Sequence, residues 1–317
     1  MWHLGFDRLQ YPGDDVMQSL FDSTPLAFVA AYLAPAPSQG YTGWMTALPT
    51  VRGMGWGVAP VYVGQQAGGG PGSHTLTSAQ GGTDAAGAAA LAQSAGLDPN
   101  SVVYLDIELG GTLGQEFIDY ITAWVNGMGS TDYRPGVYCS FSQTAAQVTG
   151  AVGDIPIWAF HPIDAGPSTR DLANEVAPDP GKSGFGGAFA WQYRMSLNGA
   201  ITLKWNDINT GAARTLQTVD LDSCVSLDPS NPTFPTPSIS SIDPVGGPAG
   251  QAVTIAGSDF DGAVDVAFGG ASAANVSFDS DSQISAEVPN VGSGDVEVVI
   301  SNRWGLQSAP GFLFTVT

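Results

Sequence analysis

The sequence predicts an α/β fold: a (β/α)8 TIM-like barrel over residues 1–226, a proline-rich linker over 227–237, and a small all-β immunoglobulin-like sandwich over 238–317. Three observations predict it. Eight short apolar runs rich in β-branched and aromatic residues alternate with helices or helix-length connections over about the first 225 residues, as in a parallel barrel. The run L-D-P-S-N-P-T-F-P-T-P at 227–237 then carries four prolines and no helical period, which marks a semi-rigid linker. Beyond it, short alternating strands are separated by Gly, Asp, Asn and Pro turns.

Residues 4–7 read as the first strand, and the turn Tyr11-Pro12-Gly13 leads into a helix over 14–21 with Asp14 or Asp15 as its N-cap. Residues 27–33 (A-F-V-A-A-Y-L) form a second strand, 46–52 allow a helix, and 57–63 (G-V-A-P-V-Y-V) form a third strand. The loop 64–73 is glycine-rich but lacks G-K-[ST], which argues against a phosphate loop. An alanine-rich helix over 83–95 stops at Gly96, and the run V-V-Y-L-D-I-E at 102–108 is the fourth strand. An amphipathic helix over 114–126 has Phe117, Ile118, Ile121, Trp124 and Val125 on one side. The fifth strand (135–140), a short helix (142–148) and the sixth (155–160), seventh (187–193) and eighth (218–221) strands complete the set. The segment 194–218 is long for a βα loop and is expected to cover a cleft or make a contact surface. In the tail, strands are expected at 252–256, 264–268, 283–288, 294–301 and 311–316.

Lys and Arg total 9 against 29 Asp and Glu, for a net charge of -20. This balance argues against nucleic acid and anionic membrane as partners, since both attract clustered cations. A neutral glycan fits better. No apolar run reaches the ~18 residues a membrane helix needs, so no membrane insertion is expected. Cys139 and Cys224 lack metal-ligand spacing and are compatible with one disulfide or two buried thiols. The N-terminal M-W-H-L-G-F-D enters a strand pattern at once, with no signal-peptide pattern. A leader already removed, host lysis or incorporation in a virus particle are the routes this leaves, and the expected location is extracellular or virion-associated.

The fourth strand ends in two carboxylates. Alternate residues of a strand share a face, so Asp106 and Glu108 point the same way with Cα atoms roughly 6.6 Å apart. Two carboxyls facing one cavity suit glycosidic chemistry, in which one is held protonated and the other stabilises positive charge on the sugar or activates a nucleophile. Asp7 ends the first strand, Gln192 lies at the end of the seventh, and Asp220 is in the eighth. In a parallel barrel these groups would converge on one face.

The strings G-F-D at 5–7, A-P-V-Y-V-G-Q-Q at 59–66, Y-L-D-I-E at 104–108, Y-R-P-G-V-Y-C-S at 133–140, I-W-A-F-H at 157–161, W-Q-Y at 191–193 and V-D-L-D at 219–222 occur in this order. Together they resemble the muramidases of glycoside hydrolase family twenty-five, and more closely a related set of actinobacterial glycoside-hydrolase-like domains, over about residues 4–226. The resemblance implies Glu108 as general acid, and Asp106 as the carboxylate that stabilises an oxocarbenium-like state or orients the substrate's 2-acetamido group. It implies Asp7 and Asp220 as holders of water and neighbouring carboxyls, and Gln192, Tyr62, Tyr104, Trp158 and Trp191 as the sugar-binding floor. His161 departs from that pattern and is read as a hydrogen-bonded loop residue.

In the tail, Pro244, Gly247, Pro248 and Gly250, then Ile255, Gly257 and Phe260, and the closing stretch from Ser308 to Val316 resemble the IPT/TIG immunoglobulin-like domains. Such modules act as spacers, binding or assembly elements. No calcium-loop spacing is present, and no metal or cofactor is expected. The implied partner is a peptidoglycan or related amino-sugar polymer, with protein assembly partners through the tail. The alternative is a non-catalytic glycan-binding or structural component of a phage particle.

Overall fold

The computed structural model describes residues 2–165, 168–196, 201–231, 236–260, 263–280, 282–302 and 306–317. The chain divides into two compact units near residue 233. In chain order the first unit contains β1 (His3–Asp7), α1 (Asp14–Ser23), β2 (Leu26–Tyr32), α2 (Gly43–Gly53), β3 (Gly57–Val63), α3 (Ser78–Ser94), β4 (Val102–Asp106) and α4 (Gln115–Met128). It continues with β5 (Arg134–Ser140), α5 (Gln143–Val152), β6 (Ile157–Ala165), β7 (Ser168–Asp171), β8 (Ala188–Met195), β9 (Ile201–Asn206), β10 (Ala213–Gln217) and β11 (Asp220–Cys224).

Eight of these strands close into a barrel of order β1-β11-β8-β6-β5-β4-β3-β2. Seven run parallel, whereas β11 is antiparallel to both of its neighbours, β1 and β8. The barrel is therefore mixed, which corrects the all-parallel (β/α)8 expectation, and five α-helices accompany it among the described residues. The departure has a physical cause in the last third of the chain. There the connections around β8 carry β7, β9 and β10, which form their own three-stranded sheet, instead of crossover helices. A parallel return needs a long crossover, usually helical; without one, the chain comes back antiparallel. The Asp207 carboxylate ties this extra sheet to α1, accepting from Ser19 Oγ at 2.6 Å and pairing with Arg214 Nε at 3.0 Å. Arg214 also reaches Asp15 at 2.7 Å.

Barrel strands buried on both faces need a second apolar layer outside them. The amphipathic α4 provides one with Phe117, Tyr120, Ile121, Trp124, Val125 and Met128, all buried. Its partner α3 starts at Thr77, whose side chain accepts from Gln80 N–H at 3.1 Å. The alanine-rich face of α3 lets the two helices lie close. At Gly81 a Cβ would sit 2.4 Å from the Tyr120 carbonyl oxygen. Gly81→Ala is accordingly expected to force α3 and α4 apart and cost about 2 kcal/mol, a fall of roughly 4–8 °C in Tm readable by calorimetry.

Residues 227–231, expected as linker, belong instead to the barrel. Asp228 Oδ1 accepts from Val58 N–H at 3.1 Å, the Pro229 carbonyl from Tyr104 OH at 3.1 Å, and the Ser230 carbonyl from Val102 N–H at 2.7 Å. The stretch 232–235 of that expected linker lies outside the described residues. Cys139 and Cys224 are both free and buried, and burial pushes the Cys139 thiol up to about 12.

The second unit is an all-β sandwich. Its strands are β12 (Ser238–Asp243), β13 (Gly246–Gly247), β14 (Ala252–Ser258), β15 (Ala263–Phe268), β16 (Ala271–Ser272), β17 (Ala274–Ser280), β18 (Gln283–Glu287), β19 (Gly294–Asn302) and β20 (Leu313–Val316). They form a four-stranded sheet of order β12-β14-β18-β17 and a five-stranded sheet of order β13-β20-β19-β15-β16. Ile255, Phe268, Ile284, Val298, Ile300 and Phe314 fill the space between them. The I-x-G-x-x-F run has a steric reason: a Cβ at Gly257 would lie 1.9 Å from the Ser238 carbonyl and 2.5 Å from the Phe260 ring.

Candidate active site

Strand register brings the acids together at one barrel rim. Asp7 at the end of β1 is the direct cross-strand partner of Asp220 at the start of β11. Because β11 is antiparallel, its first residue lies where the parallel strands end. Asp220 thus reaches the rim that the sequence predicts, but from the opposite chain direction. On β4, Asp106 pairs with Val63 of β3 and Tyr138 of β5, and Tyr138 in turn pairs with Trp158 of β6. Gln192 of β8 pairs with Phe160 and, across the other edge, with Asp222.

These strands enclose a cavity of about 110 Å³ lined by Asp7, Tyr32, Val61, Asp106, Glu108, Tyr138, Trp158, Gln192, Met195 and Asp220. Gln192 is the hub of its hydrogen bonding. Its Nε2 donates to Asp7 Oδ2 at 2.6 Å and Asp220 Oδ2 at 3.5 Å, while its Oε1 accepts from Tyr138 OH at 2.8 Å. Tyr32 OH donates to Asp7 Oδ1 at 3.5 Å, and Ser196 N–H to Asp220 Oδ1 at 2.6 Å. Glu108 differs from the rest. It lies two residues beyond the end of β4, its side chain is exposed, and its carboxylate makes no hydrogen bond among the described residues.

Of the predicted floor, Trp158 and Gln192 line the cavity, whereas Tyr62, Tyr104 and Trp191 do not. Alternation explains Tyr62 and Trp191, and depth in the barrel explains Tyr104. Tyr62 follows the cavity-lining Val61 and so points outward, where it packs 6.4 Å from the Trp124 ring of α4. Trp191 precedes Gln192 and likewise faces out, donating from Nε1 to the His161 carbonyl at 2.8 Å. Tyr104 shares the inner face with Asp106 but sits deeper, closing the barrel interior with its hydroxyl on Pro229. His161, on β6, stacks on Phe141 at 3.6 Å and engages the Ser183 carbonyl, a structural role.

Asp222, Tyr32, Tyr138 and Met195 were not predicted. The signal for Asp222 was present in D-L-D at 220–222, since two residues apart on a strand means one shared face. Asp222 is fully buried beside Asp7 and Trp158, the two side chains within reach of its carboxyl. Asp106 Oδ1 is buried without a hydrogen-bond partner.

Burial dominates the electrostatics. It pushes the Asp7 carboxyl up from its ordinary 3.8 to about 8, with the Asp220 charge adding to the rise. Burial, then the charges of Glu108 and Asp7, raise Asp106 well above the carboxylate range. Burial also raises Asp220 and, reinforced by Asp7 and Asp220, raises Asp222 strongly. No three of the described His, Cys, Asp and Glu side chains are arranged to hold a metal ion. The arrangement therefore offers a floor of buried carboxyls, each raised above its ordinary value, beneath an exposed carboxyl at the rim.

A family model described as Rv2525c-like, glycoside hydrolase-like domain matches residues 19–199, and an IPT/TIG domain model matches residues 237–316. Among solved structures, the spore cortex lytic enzyme SleM of Clostridium perfringens is similar at 12% identity and a TM-score of 0.46, over 99% of this chain and 98% of that one. The catalytic domain of endolysin ply40 from bacteriophage P40 of Listeria monocytogenes is similar at 15% identity and a TM-score of 0.44, over 71% of this chain and 94% of its own. The Tat-secreted protein Rv2525c of Mycobacterium tuberculosis, solved with L-tartrate, is similar at 14% identity and a TM-score of 0.44, over 71% and 95%. No curated protein sequence matches the chain.

Proposed function

The chain belongs to the Rv2525c-like, glycoside hydrolase-like domain family and ends in an IPT/TIG domain, and from that premise we propose that the barrel hydrolyses a cell-wall glycan of the peptidoglycan type. Glu108 is the general acid and Asp106 the carboxyl that orients or stabilises the reacting sugar. The observation that carries this reading is the contrast within one cavity between the exposed Glu108 and the buried Asp106, whose carboxyl is raised by burial and by the Glu108 charge. Two carboxyls whose surroundings differ this much can take different roles in one reaction.

Glu108 stands at the rim, where a glycosidic oxygen can reach it. A bound glycan would exclude water from that rim, the condition under which a carboxyl keeps a proton to donate. Asp106 lines the cavity, and one of its carboxyl oxygens is buried without a hydrogen-bond partner. A sugar 2-acetamido group would satisfy it in either state: the protonated carboxyl donates to the acetamido oxygen, and the ionised one accepts from its N–H. Asp7, Asp220 and Gln192 form the support beneath, and Trp158 supplies an aromatic wall. The IPT/TIG unit serves as an anchoring or assembly module, and an extracellular or virion-associated setting follows from where such a glycan is met.

A second reading, glycan binding without turnover in a wall-associated or phage structural protein, draws on one observation. The Asp7, Gln192 and Tyr138 side chains already satisfy one another, and the cavity is small. Incubation with purified peptidoglycan separates the two. Release of reducing ends is the expected result; saturable binding without release would move the assignment to the second reading, and absence of both would reject each.

A further inference from the structure

We propose that Gln66 is a positioning residue that holds the Asp106–Glu108 segment in the extended form that aims Glu108 into the cavity; this rests on the reading of those two carboxyls as the working pair. The β3–β4 ladder ends at Val63 and Asp106. Past that point β3 offers no further backbone to β4, yet the pairing continues through a side chain. Gln66 Nε2 donates to the Asp106 carbonyl at 2.9 Å, and Gln66 Oε1 accepts from the Glu108 N–H at 3.2 Å. A carboxamide carries the same donor and acceptor as a peptide group, and the carbonyl of one residue and the N–H of the residue two along face the same edge of an extended chain. One glutamine therefore replaces the missing strand neighbour. On the other edge, Ile107 N–H donates to the Tyr138 carbonyl at 2.9 Å. Held from both sides, the segment keeps Asp106 and Glu108 on one face although β4 has formally ended.

Gln66 is itself fixed. It is 5% exposed, its N–H donates to the Ser73 carbonyl at 2.7 Å, and its carbonyl meets His74 Nδ1 at 3.1 Å. The preceding Gln65 pins the same loop to the helices, with its N–H on Tyr120 OH at 3.1 Å and its Nε2 on Asp84 at 3.0 Å. The consecutive glutamines thus divide the work: Gln65 anchors the loop, and Gln66 reaches from it to the acids. Because the Glu108 carboxylate has no hydrogen bond of its own among the described residues, its backbone sets the face from which the side chain leaves the chain.

The test compares the full chain with Gln66→Ala and Gln66→Glu by amide hydrogen exchange and by peptidoglycan turnover. In Gln66→Ala the Glu108 amide is expected to exchange at least about 10-fold faster while the Ile107 amide stays protected, and kcat is expected to fall about 10- to 100-fold with KM nearly unchanged. Gln66→Glu keeps the acceptor for Glu108 N–H and should retain its protection. Unchanged Glu108 exchange in Gln66→Ala overturns the proposal, as does changed exchange with undiminished turnover. If Gln66→Ala loosens the whole barrel, Gln66→Glu decides: retained protection supports the clamp and lost protection rejects it. A wild-type protein without turnover would remove the catalytic reading, and the exchange result would still decide the clamp.

Discussion

Glu108→Gln is expected to lower the release of reducing ends from purified peptidoglycan by about 10²–10⁴-fold, the usual contribution of a positioned general acid, while the affinity for the glycan changes little. The substitution keeps the volume and one acceptor oxygen but removes the transferable proton. Glu108 is exposed and its carboxylate supports no neighbour among the described residues, so the variant should fold and melt like the parent. That separates it from Asp106→Asn, which replaces a fully buried carboxyl inside the barrel and so changes stability as well as chemistry. The measurement is a reducing-end assay on both proteins with a binding isotherm beside it. Equal turnover by Glu108→Gln and wild type would remove the general-acid assignment.

The second large effect is on stability and runs opposite to the common behaviour of acidic proteins. Most carboxylates are ionised more readily in the native state, so stability is lost on acidification. Here the floor carboxyls have raised values in the folded state, so the native protein binds more protons than the unfolded chain between those values. Their contribution is fully present below about pH 4 and is lost as pH rises through the folded value, which for Asp7 is about 8. A rise from 3.8 to about 8 corresponds to on the order of 5 kcal/mol across that window. The barrel is therefore expected to melt roughly 10 °C higher at pH 5 than at pH 8.5. Asp7→Asn should reduce much of this dependence and raise Tm at pH 8.5, because the amide needs no proton and still accepts from Gln192. Asp222→Asn should act in the same direction, since Asp222 is buried and its carboxyl is strongly raised by burial and by the charges of Asp7 and Asp220. Thermal melts of the three proteins across pH 4–9 check this. A wild-type Tm that climbs with pH over the window would show that the floor is not protonated.

Much of the site is legible in the residues alone. D-I-E at the end of an apolar run locates Asp106 and Glu108, and G-F-D after the first apolar run locates Asp7. W-Q-Y locates Gln192, I-W-A-F locates Trp158, and each of these lines the cavity. In the tail, I-x-G-x-x-F identifies the IPT/TIG domain because the steric demand at Gly257 is local and therefore written in the residues. Strand ends and tight backbone approaches depend on short stretches of chain, and a sequence can state them.

Other features require the closed barrel. Barrel strands are apolar on both faces, so alternation separates two sets of side chains without saying which set is inside. That is why Tyr62 and Trp191 read equally well as floor residues and yet pack away from the cavity. The direction of β11 depends on whether the chain between 194 and 218 makes a helix. The alternating I-T-L-K-W-N at 201–206 hints that it does not, but six residues do not determine a topology. Gln66 is a longer-range case still, since its partners are 40 and 42 residues away and are reached only when β3 and β4 lie side by side. The sequence by itself determined that Asp7 and Asp106 end apolar strands and that an IPT/TIG sandwich follows the barrel. Only the tertiary structure decided which faces look inward, that the last strand returns antiparallel, and that Asp222 joins the floor, because burial and register are properties of residues distant along the chain that the barrel brings into contact.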